Sequence, residues 1–317
     1  MDASIEVNGL TKYYDSFLAV DHVSFDVEAG EIFGFLGPNG AGKTTTLRML
    51  TNLTRPSEGN ARILGMDTVR DSLAVKAVIG IVPEASNVFF ELTTLANLTF
   101  TGALYGVRKK KAAARALELI ELFDLEAHRK KKSVELSMGL RRRLTIAMSL
   151  MHDPKVVFLD EPTSGLDVES ARLIRDIVQD LHKSGVTVFI TTHNMEEANQ
   201  LCHRIAVINH GDLIAVDTPE RLKQAASESQ AVEVSFNRTV SEQEEKGLAG
   251  LPCVTAVRPL GDKYHLVTSD PPCVLEAIYP FMSELGLKPV SLNTFGPSLE
   301  DVFVMLTTAT KEPSSDE

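Results

Sequence analysis

Residues 37–45, Gly37-Pro38-Asn39-Gly40-Ala41-Gly42-Lys43-Thr44-Thr45, fill every fixed position of the pattern G-x-x-x-x-G-K-[ST]. That composition suits a polyphosphate. Gly37, Gly40 and Gly42 let the backbone curl so that successive N–H groups face phosphate oxygens, Lys43 adds a point charge, and the Thr44 hydroxyl can ligate Mg²⁺. A second set of reactive groups stands where the apolar run Val156-Val157-Phe158-Leu159 ends in Asp160-Glu161-Pro162-Thr163. Two adjacent carboxylates beside a triphosphate repel it unless cations offset them. Asp160 therefore reads as part of a Mg²⁺ shell, and Glu161 as the group that orients or deprotonates an attacking water.

Both sets need rigid elements behind them. Ile32-Phe33-Gly34-Phe35-Leu36 has the unbroken apolar character of a buried strand, and the glycine loop leads from it into a helix beginning near Lys43, whose positive end also favours phosphate. Residues 156–159 read as a second central parallel strand, with the carboxylates at its C-terminal end, where ligands gather in a doubly wound α/β sheet.

Over roughly residues 4–220 the chain resembles the ATP-binding subunit of an ABC transporter. Further segments carry the resemblance. Ser164-Gly165-Leu166-Asp167 is similar to the D-loop at the family's dimer contact, and His193, after Val188-Phe189-Ile190-Thr191-Thr192, resembles the switch histidine that meets the γ-phosphate. Leu136-Ser137-Met138-Gly139-Leu140 lies where the LSGGQ signature belongs, so Ser137 and Gly139 are expected to cap the nucleotide of an opposite subunit. Tyr14 matches the aromatic that stacks on adenine. Glu84, closing Ile79-Gly80-Ile81-Val82-Pro83-Glu84, matches the Q-loop residue that ligates Mg²⁺ and senses a membrane partner. Taken alone, Tyr14 reads more readily as a half-buried strand aromatic, His193 as a satisfied core histidine, and Ser137 as the N-cap of the helix behind it; their order along the chain favours the functional reading of the first two.

The chain departs from the family pattern at three positions. Met138 replaces a glycine and Leu140 a glutamine of the signature, while Glu84 replaces the Q-loop glutamine and adds negative charge near the γ-phosphate. The resemblance implies a P-loop cassette with a mixed sheet and a helical subdomain at about 86–150. It further implies ATP and Mg²⁺ as cofactors, a second ATP-binding subunit as partner, and a separately encoded integral membrane permease that performs export. A soluble ABC-type ATPase switch is the alternative.

Composition is compatible with this. A chain of 317 residues suggests about two domains, and 44% apolar with 6% aromatic residues fits a core of Val, Ile and Leu. The apolar runs fall short of the ~18 residues of a spanning helix, and residues 1–6 lack a basic and apolar leader, so a cytoplasmic protein, peripheral on the membrane through its permease, is expected. Cys202, Cys253 and Cys273 read as reduced structural thiols. Within 86–107, Val88, Phe89, Phe90, Leu98, Phe100, Leu104 and Tyr105 divide between packing and a groove for a partner helix. Residues 101–150 carry a net charge of +7 in a chain of −11, leaving −18 elsewhere. This disfavours nucleic acid as a partner and suggests either a face toward anionic headgroups or an ordinary solvated helical face.

The first domain is placed at 1–222, with Asp217-Thr218-Pro219-Glu220 as a capped helix start and 224–230 as a junction. Over 231–310 the predicted order is βαββαβ plus a terminal helix, a small ferredoxin-like α+β domain resembling the C-terminal extension of drug- and ion-export ATPases and serving dimer contact, regulation or passive packing. Residues 311–317 read as a disordered tail.

Overall fold

Alternating apolar positions over residues 3–28 build a hairpin of β1 (Ala3–Tyr14) and β2 (Phe17–Glu28), turning at Asp15 with φ 52°. β1 also pairs with β4 (Glu58–Ile63), and β5 (Met66–Asp67) completes an antiparallel sheet in the order β2-β1-β4-β5. The larger sheet is made of β3 (Ile32–Leu36), β6 (Ile79–Val82), β7 (Val156–Asp160), β8 (Thr187–Thr192), β9 (Arg204–Asn209) and β10 (Asp212–Asp217). Its order is β10-β9-β3-β8-β7-β6, parallel except at the β10 edge. Every residue of β3, β7 and β8 is buried, which explains why each strand carries an unalternating stretch of apolar residues. The computed structural model describes residues 3–225, 230–296 and 298–309.

The two sheets meet through aromatic rings. Phe25 of β2 lies 5.3 and 5.5 Å from Phe33 and Phe35 of β3 and 6.1 Å from Phe189 of β8. Each ring withdrawn from water contributes roughly 1.5–3 kcal/mol. Parallel pairing in the order β3-β8-β7 turns the C-terminal ends of all three strands toward one place. Helices α1 (Lys43–Leu50), α2 (Ser72–Val78), α6 (Val168–Lys183) and α7 (Met195–Leu201) accompany the sheets. A helical layer of α3 (Thr94–Leu104), α4 (Lys109–Leu122) and α5 (Met138–Ser149) packs together within the expected subdomain. Buried Asn97 ties it to the preceding segment by accepting from the Phe89 N–H and donating to Ser133 Oγ.

The chain divides between Thr218 and Pro219 into two compact units. The break falls slightly before the expected 222 because α8 (Pro219–Ala225) packs on α11 (Leu299–Ala309). The second unit runs through β11 (Gln230–Phe236), α9 (Glu242–Ala249), β12 (Ala256–Leu260), β13 (Lys263–Thr268), α10 (Pro271–Glu284) and β14 (Pro289–Phe295). Its antiparallel sheet, in the order β12-β13-β11-β14, has the βαββαβ connectivity read from the sequence. Val232, Val234, Leu248, Leu266, Val274 and Ile278 form its core. Most of the expected 224–230 junction, and the tail at 311–317, lie outside the described residues.

The structure corrects two readings. Cys253 and Cys273 are not separate thiols: they form a disulfide, because the loop after α9 and the start of α10 bring their Cα atoms to 6.2 Å across a separation of 20 residues. Cys202 alone stays free; it is buried beneath Gly34, and burial pushes its thiol far above the ordinary range. The basic block is also not uniformly a surface feature, since Arg142 is only 4% exposed.

Candidate functional site

The C-terminal ends of β3, β7 and β8 and the β1–β2 hairpin enclose a cleft of about 470 Å³. Its walls include Tyr14, Asn39, Gly40, Gly42, Lys43, Thr44, Thr45, Glu84, Glu161 and His193, all expected from the sequence. Gly37 and Pro38 contribute from behind: their carbonyls accept from Lys43 Nζ at 2.8 and 3.1 Å. Ala41 is buried in the loop, where its N–H donates to the Pro38 carbonyl. Space explains two of the glycines. A Cβ at Gly37 would lie 2.3 Å from the Ile208 carbonyl oxygen, and one at Gly42, which has φ 107°, would lie 2.7 Å from that of Ala19.

Glu161 is the hub of the polar side chains. Its Oε1 lies 3.3 Å from Lys43 Nζ and its Oε2 2.9 Å from His193 Nδ1. The Glu161 backbone adopts φ 47°, a left-handed conformation that an L-residue occupies only when held there. Its N–H donates to both the carbonyl and the hydroxyl of Thr191, at 3.0 and 3.2 Å. Asp160 Oδ1 accepts from Thr191 Oγ1 at 2.5 Å and from Thr44 Oγ1 at 3.2 Å. The Thr44 hydroxyl and Asp160 carboxylate thus stand together as hard oxygen donors of the kind Mg²⁺ takes, with Glu84 on the same cleft wall.

Tyr14 is 42% exposed at the end of β1, with Lys12 Nζ 5.2 Å above its ring. Phe17, its cross-strand partner, Ala19 and Ser164 also line the cleft. Sequence reading named Ser164 only as part of the D-loop and missed Phe17 and Ala19, although the hairpin turn between residues 14 and 17 was a usable signal for Phe17. Glu197 was missed as well. It is buried and accepts from the hydroxyls of Thr163 at 2.6 Å and Thr192 at 2.8 Å, joining the loop after β7 to the segment that carries His193.

Ser137 and Gly139 do not enter the cleft of their own chain. Ser137 caps α5, its hydroxyl accepting from the Leu140 N–H at 3.3 Å. Gly139 lies against α6, where a Cβ would meet Ser170 Oγ at 2.4 Å. Asp167 caps α6, accepting from the N–H and hydroxyl of Ser170 at 2.8 and 2.9 Å, bonds that hold its carboxyl below the usual range.

Arg142 drew no attention as a site residue, yet its guanidinium donates to the carbonyls of Pro83, Glu84, Asp160, Glu161 and Pro162. Burial pushes its pKa down, and the carboxylates of Asp160, Glu84, Glu197 and Glu161 pull it back up. A second groove, of about 190 Å³, opens between Asn87, Phe89, Leu104, Tyr105 and Met148, and the His152 ring stacks on Tyr105 at 3.8 Å.

Comparison with known proteins agrees with this geometry. The ABC transporter family profile matches residues 20–164. The chain is 38% identical over 306 residues to the daunorubicin/doxorubicin resistance ATP-binding protein of Streptomyces peucetius, covering 96% of this chain and 92% of that protein. It is 35% identical over 307 residues to the Nod factor export ATP-binding protein I of Paraburkholderia xenovorans (strain LB400), covering 96% and 97%. Among solved structures, a dimeric ATP-binding cassette in a post-hydrolysis state with ADP and phosphate is similar at TM-score 0.62 and 27% identity, covering 68% of this chain and 98% of that one.

Proposed function

Since the chain belongs to the ABC transporter family as an exporter-type ATP-binding subunit that hydrolyses ATP, we propose that two copies, or this chain and a related one, enclose ATP between them and drive export through a separate membrane permease. The observation that carries the catalytic part is Glu161, buried, turned into a left-handed conformation and joined to both Lys43 and His193.

ATP enters with its base against Tyr14 and its phosphates in the loop of residues 37–45. Its γ-phosphate draws Lys43 from Glu161, which frees the carboxylate to take a proton from the attacking water. His193 orients that carboxylate and meets the γ-phosphate. Thr44, Asp160 and Glu84 are the residues that would hold Mg²⁺, which would neutralise charge on the phosphate oxygens. Ser137 and Gly139 at the positive end of α5 close over the partner's nucleotide, beside Asp167.

The groove at Phe89, Leu104 and Tyr105 receives a permease helix. No described helix is long and apolar enough to cross a membrane, in keeping with a peripheral subunit on the cytoplasmic face. The second unit contributes dimer contact or regulation. The names of the relatives, drug resistance and Nod factor export, favour export over a soluble switch.

Affinity capture of the tagged chain from detergent-solubilised membranes tests the assignment. A co-purifying protein with several apolar segments of about 20 residues, stimulating ATP hydrolysis, is the expected result. Full ATPase activity with no membrane protein retained would return the case to a soluble switch.

A further inference from the structure

We propose that Arg142 is a positioning residue for ATP hydrolysis, fixing the backbone under Glu161 and tying that carboxylate to the helix that carries the signature segment. The inference rests on the hydrolytic reading of the cleft and deepens it. The fork of an arginine has five N–H donors, and all are used here. Nε donates to the Pro162 carbonyl at 2.9 Å, and Nη2 to those of Asp160 and Glu161 at 2.6 and 3.0 Å. Nη1 donates to the carbonyl of Pro83 and, at 3.0 Å, to that of Glu84. One side chain of α5 thus grips the loop after β7 and the loop after β6 together.

The consequence falls on Glu161. Its left-handed peptide unit is held from one side by Thr191, which accepts from its N–H, and from the other by Arg142, which donates to its carbonyl at 3.0 Å and shares that oxygen with the more distant Ser164 N–H at 3.3 Å. Without Arg142, only the longer bond from the Ser164 N–H holds that carbonyl, the loop relaxes toward an ordinary φ, and the carboxylate swings away from Lys43 and His193. No other residue type supplies this arrangement. A lysine brings the charge as a single point, and a glutamine brings only two N–H donors on a shorter stem.

Arg142 also stands about a turn and a half along α5 from Ser137 and less than one turn from Gly139. A shift of α5 that brings these residues to the partner's nucleotide therefore pulls on Glu161 of its own chain. In this arrangement the closure of one site and the alignment of the other chain's base are a single rigid movement.

The test compares Arg142→Gln and Arg142→Lys with the parent protein, and each substitution again in a Glu161→Gln background. Readouts are the thermal midpoint, the Kd for a fluorescent ATP analogue, steady-state kcat and KM, and single-turnover phosphate release. The expected result is folded protein whose Kd and KM stay within about three-fold of the parent while kcat falls on the order of 10-fold or more, the usual scale of a lost catalytic alignment. Lysine should rescue no better than glutamine. In the Glu161→Gln background the same substitutions should cost less than about two-fold further, because Arg142 acts through the missing carboxylate.

A full loss in both backgrounds would place its action elsewhere. Variants that melt earlier but turn over normally per folded molecule would make it a stabilising residue only, and failure of both to fold would likewise overturn the positioning role. A parallel fall in nucleotide affinity and kcat would instead point to the phosphate loop. Loss of all turnover in the parent would strike the hydrolytic reading itself, which keeps the two failures distinct.

Discussion

Replacing Glu161 with glutamine should strengthen ATP binding while stopping its hydrolysis, and the structure supplies the sign of both effects. In the described arrangement Lys43 Nζ is shared among the Gly37 carbonyl at 2.8 Å, the Pro38 carbonyl at 3.1 Å and Glu161 Oε1 at 3.3 Å. Both charged side chains are more than nine-tenths buried, so water screens their attraction little. At an effective dielectric near 20 the direct term at that distance is roughly 5 kcal/mol, most of it offset by desolvation. A net coupling of about 1–2 kcal/mol is consistent with a hydrogen bond to a charged group. A triphosphate must draw Lys43 away from that partner. Neutralising Glu161 removes the competition and the repulsion of the γ-phosphate together, so the Kd for ATP should fall about 5- to 30-fold. Turnover should drop by on the order of 10²-fold or more, the scale of a lost general base. Equilibrium titration with a fluorescent ATP analogue and continuous phosphate release read the two separately. Wild-type turnover in the variant would remove Glu161 as the base, and a Kd raised ten-fold would show that the Lys43–Glu161 pair does not oppose nucleotide entry.

Two other perturbations follow from the packing and the titration behaviour. A methyl group at Gly139 would sit 2.4 Å from a Ser170 hydroxyl that is already committed to Asp167, so Gly139→Ala should cost about 1–3 kcal/mol in thermal or denaturant melts. Ser170→Ala in the same chain should recover part of it, and no recovery would mean that the strain lies elsewhere. In the second unit, Arg238 and then Ser241 hold Glu244 at about 2, below its ordinary 4.5. A depressed carboxyl stabilises fully above its unfolded value and loses that contribution as pH falls toward 2. Melts of wild type and Glu244→Gln should therefore differ at pH 6 and converge near pH 2, whereas a constant gap would deny the linkage.

What the sequence revealed and what it hid follow from the range of the interactions. The loop at 37–45, the carboxylates at 160–161 and the strands behind them were legible because each depends on contiguous residues and on burial from both faces. The second unit was legible for a similar reason: Ser241 and Glu244 form a capping box, Asp270 caps α10, and Gly261 marks the β12–β13 turn. The Cys253–Cys273 pairing was not legible, since it depends on where a loop and a helix start meet in space. Arg142 was hidden for a different reason. It lies in a run of arginines that reads as solvated charge, and only the tertiary fold shows its fork occupied by carbonyls from two other segments. Glu197 belongs with it: its hydroxyl partners, Thr163 and Thr192, come from the loop after β7 and the end of β8.

The shared site is the central claim, and mixed subunits test it most directly. Ser137 and Gly139 lie outside the cleft of their own chain, and the proposed reading has a second copy or a relative bring its α5 to the cleft that holds Lys43 and Glu161. Lys43→Ala should abolish nucleotide binding in its own cleft, and Ser137→Arg should block closure over the partner's nucleotide. Neither variant alone should hydrolyse ATP. Mixing them places both lesions in one composite site and leaves the other whole, so activity should return toward half that of the parent dimer, in proportion to the mixed dimers formed. Mixed dimers that demonstrably form yet stay as inactive as either variant would contradict independent sites shared between subunits.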